Sequence, residues 1–108
     1  MPSVGQLPGQ EDIDKLNKLF NELKQFSESI PCEDEKKWRL APIGQKPCGG
    51  PARYIAYSST MDTLAFMKKV DQYTSESIKY NQKWKPASNC AVVNPPKLRC
   101  ENGRPVLY

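Results

Sequence analysis

The chain contains no histidine. That removes the commonest general base and the commonest metal ligand, so no Ser-His-Asp triad, Cys-His pair or histidine-bound metal can form. G-x-S-x-G, phosphate-cradling P-loop and dinucleotide-fingerprint motifs are also missing, and with them the usual signatures of ester hydrolysis and nucleotide chemistry. No uninterrupted apolar run exceeds a few residues, against the ~20 needed for a helix to span a bilayer. The start, Met1-Pro2-Ser3-Val4-Gly5, has neither the basic residues nor the apolar block of a secretory signal. Apolar residues make up only 38% of the 108 residues. A chain of that length forms one domain and buries only about two-thirds of its unfolded surface, so the core is modest and cross-links matter.

What the chain has instead is ten prolines and an even number of cysteines: Cys32, Cys48, Cys90 and Cys100. No C-x-x-C occurs, which argues against a zinc site. Four cysteines allow three pairings, and sequence alone does not choose among them. The expectation is Cys32 with Cys48 and Cys90 with Cys100, because the enclosed loops of fifteen and nine residues are short and rich in proline and glycine. A bridge closing about fifteen residues contributes roughly 3 kcal/mol in the chain-entropy model, a large share of the ~5–15 kcal/mol typical of a domain. Disulfides persist in oxidising compartments. The expected location is therefore extracytoplasmic (periplasm, cell surface or secreted), with Met1 standing after a removed export signal and residues 1–10 as a flexible leader ahead of one stapled domain over residues 11–108.

Charge is unevenly spread. Residues 1–35 carry eight acidic and three basic side chains, net −5, whereas residues 36–108 carry thirteen basic and four acidic, net +9. Such a split marks either a basic binding face or an acidic first helix that packs on the basic remainder. The second is the expectation, because oppositely charged helices in one domain are ordinary.

Residues 10–29 read as a helix, with Ile13, Leu16, Phe20 and Leu23 at intervals of three and four, widened by Leu19, Phe26 and Ile30. Glu11, Asp12 and Asp14 suit its first turn, and Pro31 stops it. Trp38-Arg39-Leu40 is a short candidate strand, and residues 42–51 are dense in turn formers. Arg53-Tyr54-Ile55-Ala56-Tyr57 reads as a buried strand. A second helix, capped by Ser59 or Thr60 with Asp62 as its partner, runs to about Lys85 ahead of Pro86. Phe66, Val70, Tyr73, Ser77, Tyr80 and Trp84 share one face of it, and Leu64, Met67 and Ile78 add breadth. From residue 88 onward a small sheet or hairpin is expected, with candidate strands at 91–93 and 99–100. Asn102-Gly103 turns the chain into a final strand over 104–108. The fold class is α+β: two helices packed on a small antiparallel sheet, stapled by two disulfides.

Chemistry is sparse. Beyond the first helix and its trailing acidic run the carboxylates are Asp62, Asp71, Glu76 and Glu101. A hydrolytic pair would need two of them facing across a cleft, and the spacing shows no such pair. Cys48-Gly49-Gly50-Pro51 lacks the second cysteine of a redox turn. Lys79, Lys83, Lys85, Lys97, Arg99 and Arg104 lie among Tyr73, Tyr80, Trp84 and Tyr108, a mixture that binds single-stranded nucleic acid by stacking. Most of those aromatics nevertheless fit the core spacing of the second helix.

Residues 38–58, with Pro47-Cys48-Gly49-Gly50-Pro51 followed by Tyr54-Ile55-Ala56-Tyr57-Ser58, resemble uncharacterised small exported bacterial proteins, often lipoproteins. The likeness extends over residues 32–103. In such proteins a further cysteine can follow the final glycine turn; here Arg104 and Pro105 follow Gly103. The resemblance implies export, cysteine bridging and a precursor able to carry a lipid anchor. It implies no reaction, ligand or functional residue.

The expected function is a non-catalytic binding or accessory module, inhibitor-like in type, with no cofactor, no metal and no catalytic residue. Its partner is another protein or an envelope component. The expected contact residues are Gln45, Lys46, Gly49, Gly50 and Arg53, because a disulfide-pinned turn presents a loop with little entropy to lose on binding. The alternatives are a small carboxylate hydrolase centred on Asp71 or Glu76, and a basic binder of nucleic acid or anionic surfaces.

Overall fold

The three-and-four spacing of apolar residues produces two helices, α1 (Gln10–Ser27) and α2 (Thr63–Trp84), in a computed structural model that describes residues 9–87 and 90–108. Residues 1–8 of the expected leader, and Ser88 and Asn89 at the start of the expected C-terminal β region, lie outside the described residues. Gly9 and Gln10 belong to α1, as its cap and first residue, and not to a leader. Leu19, Leu23 and Ser27 are its deepest positions. The helix stops two residues before Ser29, whose hydroxyl donates to the Phe26 carbonyl at 2.6 Å and so closes the last turn ahead of Pro31.

α2 is capped by Asp62 itself, whose carboxylate accepts the Ala65 N–H at 3.0 Å. Neither expected cap takes that role, and Thr60 is engaged elsewhere: Ser58 Oγ accepts the Thr60 N–H at 3.1 Å and shares a hydrogen bond with the Thr60 hydroxyl. Phe66, Val70, Tyr73 and Ser77 are buried as the spacing requires. Leu64 is an exception: it projects into solvent, 80% exposed. Lys85, in the left-handed region (φ 46), ends the helix just before Pro86.

The strands form two antiparallel pairs where one small sheet was expected. β1 (Trp38–Ile43) pairs with β2 (Arg53–Ser58), Leu40 opposite Ala56 and Ala41 opposite Ile55. β3 (Leu98–Glu101) pairs with β4 (Arg104–Leu107) across Asn102-Gly103, both at positive φ as a two-residue hairpin requires. The expected strand at 91–93 is absent. Pro95 and Pro96 have no N–H to give a ladder, so pairing begins at Lys97, which exchanges backbone bonds with Tyr108 at 2.8 and 3.0 Å.

Alternation along the β1–β2 ribbon gives it two apolar faces. Ala41, Ile43, Ile55 and Tyr57 meet the helices. Phe66, fully buried, stands edge-on to Phe26 at 5.5 Å and stacks on Tyr57 at 5.2 Å. Trp38, Leu40 and Ala56 meet Leu98, Cys100 and Leu107 of the β3–β4 hairpin. The ribbon is thus the middle of three layers.

This layering overturns the local cysteine pairing. The bridges are Cys32–Cys100 and Cys48–Cys90, across 68 and 42 residues. The hairpin covers the outer face of the ribbon and brings Cys100 to Cys32, whose N–H donates to the Gly103 carbonyl at 2.9 Å. α2 then returns the chain to the turn end of the ribbon, where Cys90 meets Cys48. Loops of that length contribute about 4 kcal/mol each in the chain-entropy model.

Several groups on the ribbon's edges are spent. The Trp38 N–H donates to Glu35 in a short 3₁₀ turn. The Arg39 guanidinium donates to the Trp38 and Lys36 carbonyls at 2.9 and 2.8 Å, and Pro42 offers no N–H. On the other side, the Ser27 hydroxyl donates to the Ala56 carbonyl.

The charge asymmetry is met between the helices. Glu22 pairs with Lys69 at 3.3 Å, Asp12 with Lys83 at 3.4 Å and Glu76 with Lys15 at 3.3 Å. Asp12 also accepts the Trp84 indole N–H at 2.8 Å. That indole bond chiefly, opposed by partial desolvation and assisted by Lys83 and Lys15, holds the Asp12 carboxyl below the usual carboxylate range.

Candidate functional site

Proline and glycine between β1 and β2 force a tight reversal, and α2 grips its base. The Gly44 N–H donates to Thr74 Oγ1 at 3.0 Å. The Gln45 N–H donates to Ser77 Oγ at 3.1 Å, and the Gln45 carbonyl accepts from the Ser77 hydroxyl at 3.2 Å and from Asn81 Nδ2 at 2.7 Å. Thr74, Ser77 and Asn81 recur at intervals of three and four, so one helical face presents all three polar groups to two consecutive residues. Gly44 is required there. Its φ is +70, and a Cβ on it would come within 3.1 Å of both Ala52 Cβ and Tyr73 Cε1.

Beyond the grip the turn closes on itself. The Lys46 N–H donates to the Gly50 carbonyl at 3.0 Å, and the Gly49 N–H to the Lys46 carbonyl at 2.8 Å. The Lys46 ammonium crosses to the Ala91 carbonyl at 2.7 Å, beside the Cys48–Cys90 bridge, where the two Cα atoms are 5.5 Å apart. Pro47, Cys48, Gly49 and Gly50 remain exposed. A cleft of about 430 Å³ lies alongside, lined by Gln45, Lys46, Pro47, Ile78, Asn81 and Lys85 among others.

Of the five expected contact residues, Gln45, Lys46, Gly49 and Gly50 therefore share one pinned turn. Arg53 departs from them: its guanidinium lies over the Phe20 ring of α1, 4.2 Å from the centroid. Sequence reasoning missed Thr74 and Asn81 and placed Ser77 in an apolar stripe. A serine at a core position is itself the signal, since a buried hydroxyl needs a partner.

The carboxylates of the hydrolase alternative do not face one another across an open cleft. Asp71 is exposed. Glu76 is held by Lys15 and by Lys79, the latter at 3.6 Å. It shares a small cleft of about 200 Å³ with Asp12, whose Oδ2 accepts from Lys83 and Trp84. Three of the four aromatic rings of the nucleic-acid alternative are also engaged. Tyr73 is in the core, the Lys83 ammonium sits over Trp84 at 5.1 Å, and the Arg99 guanidinium sits over Tyr108 at 4.8 Å.

Among the described residues, no group of three or more Cys, Asp or Glu side chains is placed to hold a metal ion. No described helix is long and apolar enough to cross a membrane. Compared with known proteins, the chain matches no protein-family model, no curated protein and no solved structure.

Proposed function

We propose that this chain is a non-catalytic, extracytoplasmic binding module that presents the 47–50 turn, with the segment bridged to it, to another protein or an envelope component. The carrying observation is the combination of an exposed tip with a fixed base. Four hydrogen bonds from α2, the Lys46–Ala91 contact and the Cys48–Cys90 bridge all hold a turn whose outer four residues meet solvent. Ordering a mobile loop on binding costs roughly 0.5–1.5 kcal/mol for each immobilised side chain, and a loop held beforehand avoids that cost. The two bridges support the location, because thiols stay reduced in the cytosol. The resemblance to exported bacterial proteins points the same way.

The test is photo-crosslinking at position 47 in an envelope extract of the source cells. One adduct is expected, lost on adding unlabelled protein and absent when the probe sits at position 17 on the exposed side of α1. No competed adduct at position 47 would end the proposal.

A further inference from the structure

The segment joined to the turn, residues 90–96, combines exposure, unpaired backbone over 92–96 and fixed ends. Val92 is 85% exposed, and Ala91, Asn94 and Pro95 are exposed too. Among the described residues, no backbone group of residues 92–96 makes a hydrogen bond. Both ends are nevertheless fixed. On one side Cys90 is bridged to Cys48 and the Ala91 carbonyl accepts the Lys46 ammonium. On the other, Lys97 is locked to Tyr108 by two backbone bonds. Between them, Pro95 and Pro96 fix their own φ near −65° and hold Asn94 and Pro95 out of the helical region.

A fixed internal segment whose residues 92–96 leave their backbone unpaired, with Val92 as its exposed large apolar side chain, has a definite kind of complement. Recognition of chain ends does not apply, since neither end of the segment is free. An endopeptidase cleft pairs the backbone of an internal stretch with its own strand edges and takes one side chain into a specificity pocket. The projecting residue sets the pocket. Valine is small, branched and uncharged, so it suits a shallow apolar pocket and gives nothing to a pocket with a carboxylate at its base.

We propose that residues 90–96 form a substrate-like contact loop for a serine endopeptidase with a small apolar pocket, and that Val92 fills that pocket. This deepens the binding-module reading and rests on it. The clamps explain why such a loop would inhibit and not merely be consumed. Hydrolysis adds one water across the Val92–Val93 peptide bond, leaving a carboxylate on Val92 and an ammonium on Val93. The Cys48–Cys90 bridge and the Lys97–Tyr108 pair would keep those two ends adjacent, at high effective concentration for the reverse step, which releases the water again.

The experiment uses the intact, oxidised chain against pancreatic elastase, which has a small apolar pocket, and trypsin, whose pocket carries a carboxylate. Mass spectrometry follows the Val92–Val93 bond. The native chain is expected to inhibit elastase reversibly and to leave trypsin untouched. Val92→Arg should shift the preference toward trypsin by about 100-fold or more. Val92→Asp should lose elastase without gaining trypsin. Unchanged melting temperatures will confirm that these exposed substitutions leave the fold intact. The proposal is overturned if elastase is not inhibited, if the loop is cut to completion as an ordinary substrate, or if Val92→Arg keeps the native preference. Loss of elastase inhibition with the position-47 adduct intact removes this assignment alone; loss of both removes the binding module as well.

Discussion

The helix layer and the loop end of this molecule are held by different forces. Between α1, α2 and the inner face of the ribbon, Leu23, Ile43 and Phe66 have no solvent exposure, and burial does the work. At the far end, residues 92–96 bury little and hydrogen-bond to nothing among the described residues. Here one disulfide, one lysine and a two-bond ladder fix the chain. A small domain with a modest apolar fraction can stabilise only part of its length by burial. Covalent linkage takes over where side-chain packing ends, and the surface there stays exposed.

Full reduction should produce the largest effect on this contrast. Each bridge contributes about 4 kcal/mol by chain entropy, against the ~5–15 kcal/mol of a typical domain, so loss of both should unfold the protein by circular dichroism. The two bridges close loops of similar length but differ in exposure: Cys32 is 2% exposed, whereas Cys48 and Cys90 are on the surface. A limiting reductant followed by alkylation and mass mapping should label Cys48 and Cys90 first. Equal labelling of all four would mean that the loop end is not the more accessible region.

Phe66→Ala removes the central ring of the helix layer and should cost about 3–5 kcal/mol in a urea titration, while leaving the Cys48–Cys90 bridge intact. Ser77→Ala acts at the junction of the two regions. It takes away the acceptor of the Gln45 N–H and should cost about 1–3 kcal/mol. Amide exchange should quicken at Gly44 and Gln45 more than in β3 and β4. Uniform quickening would show that α2 does not grip the turn locally.

The smallest expected effect is at the Asp12 end. Its carboxyl is depressed chiefly by the Trp84 indole N–H, so its stabilisation is complete above the ordinary carboxylate pKa. It is lost as pH falls through the depressed folded value. Asp12→Asn should therefore melt earlier than the native chain near neutral pH and converge with it in acid. A gap that persisted at low pH would point to packing, not charge.

Much of the fold was legible because its causes are local. The stripe of α2 through Ser77 follows from 3.6-residue periodicity, and Asn102-Gly103 makes its hairpin through backbone chemistry confined to two residues. Where competing local groups existed, the reading failed: Ser58 and Thr60 bond to each other, and Asp62 becomes the cap. Four of the five expected contact residues lie on the turn because proline and glycine dictate the turn itself. Arg53 left the group because a guanidinium on a strand facing α1 finds the Phe20 ring, a neighbour 33 residues away that no local pattern reveals.

From the sequence alone came two amphipathic helices, short strands at 53–57 and near 38–40, a closing hairpin, the opposed charges and an even set of cysteines. Each depends on residues within a turn or two of one another. Tertiary structure alone decided that Cys32 joins Cys100 and Cys48 joins Cys90, that the strands form two pairs, and that Thr74, Ser77 and Asn81 hold residues 44–45. Those outcomes turn on which distant apolar faces bury each other. The ribbon has two such faces: the helices pack on one and the β3–β4 hairpin on the other.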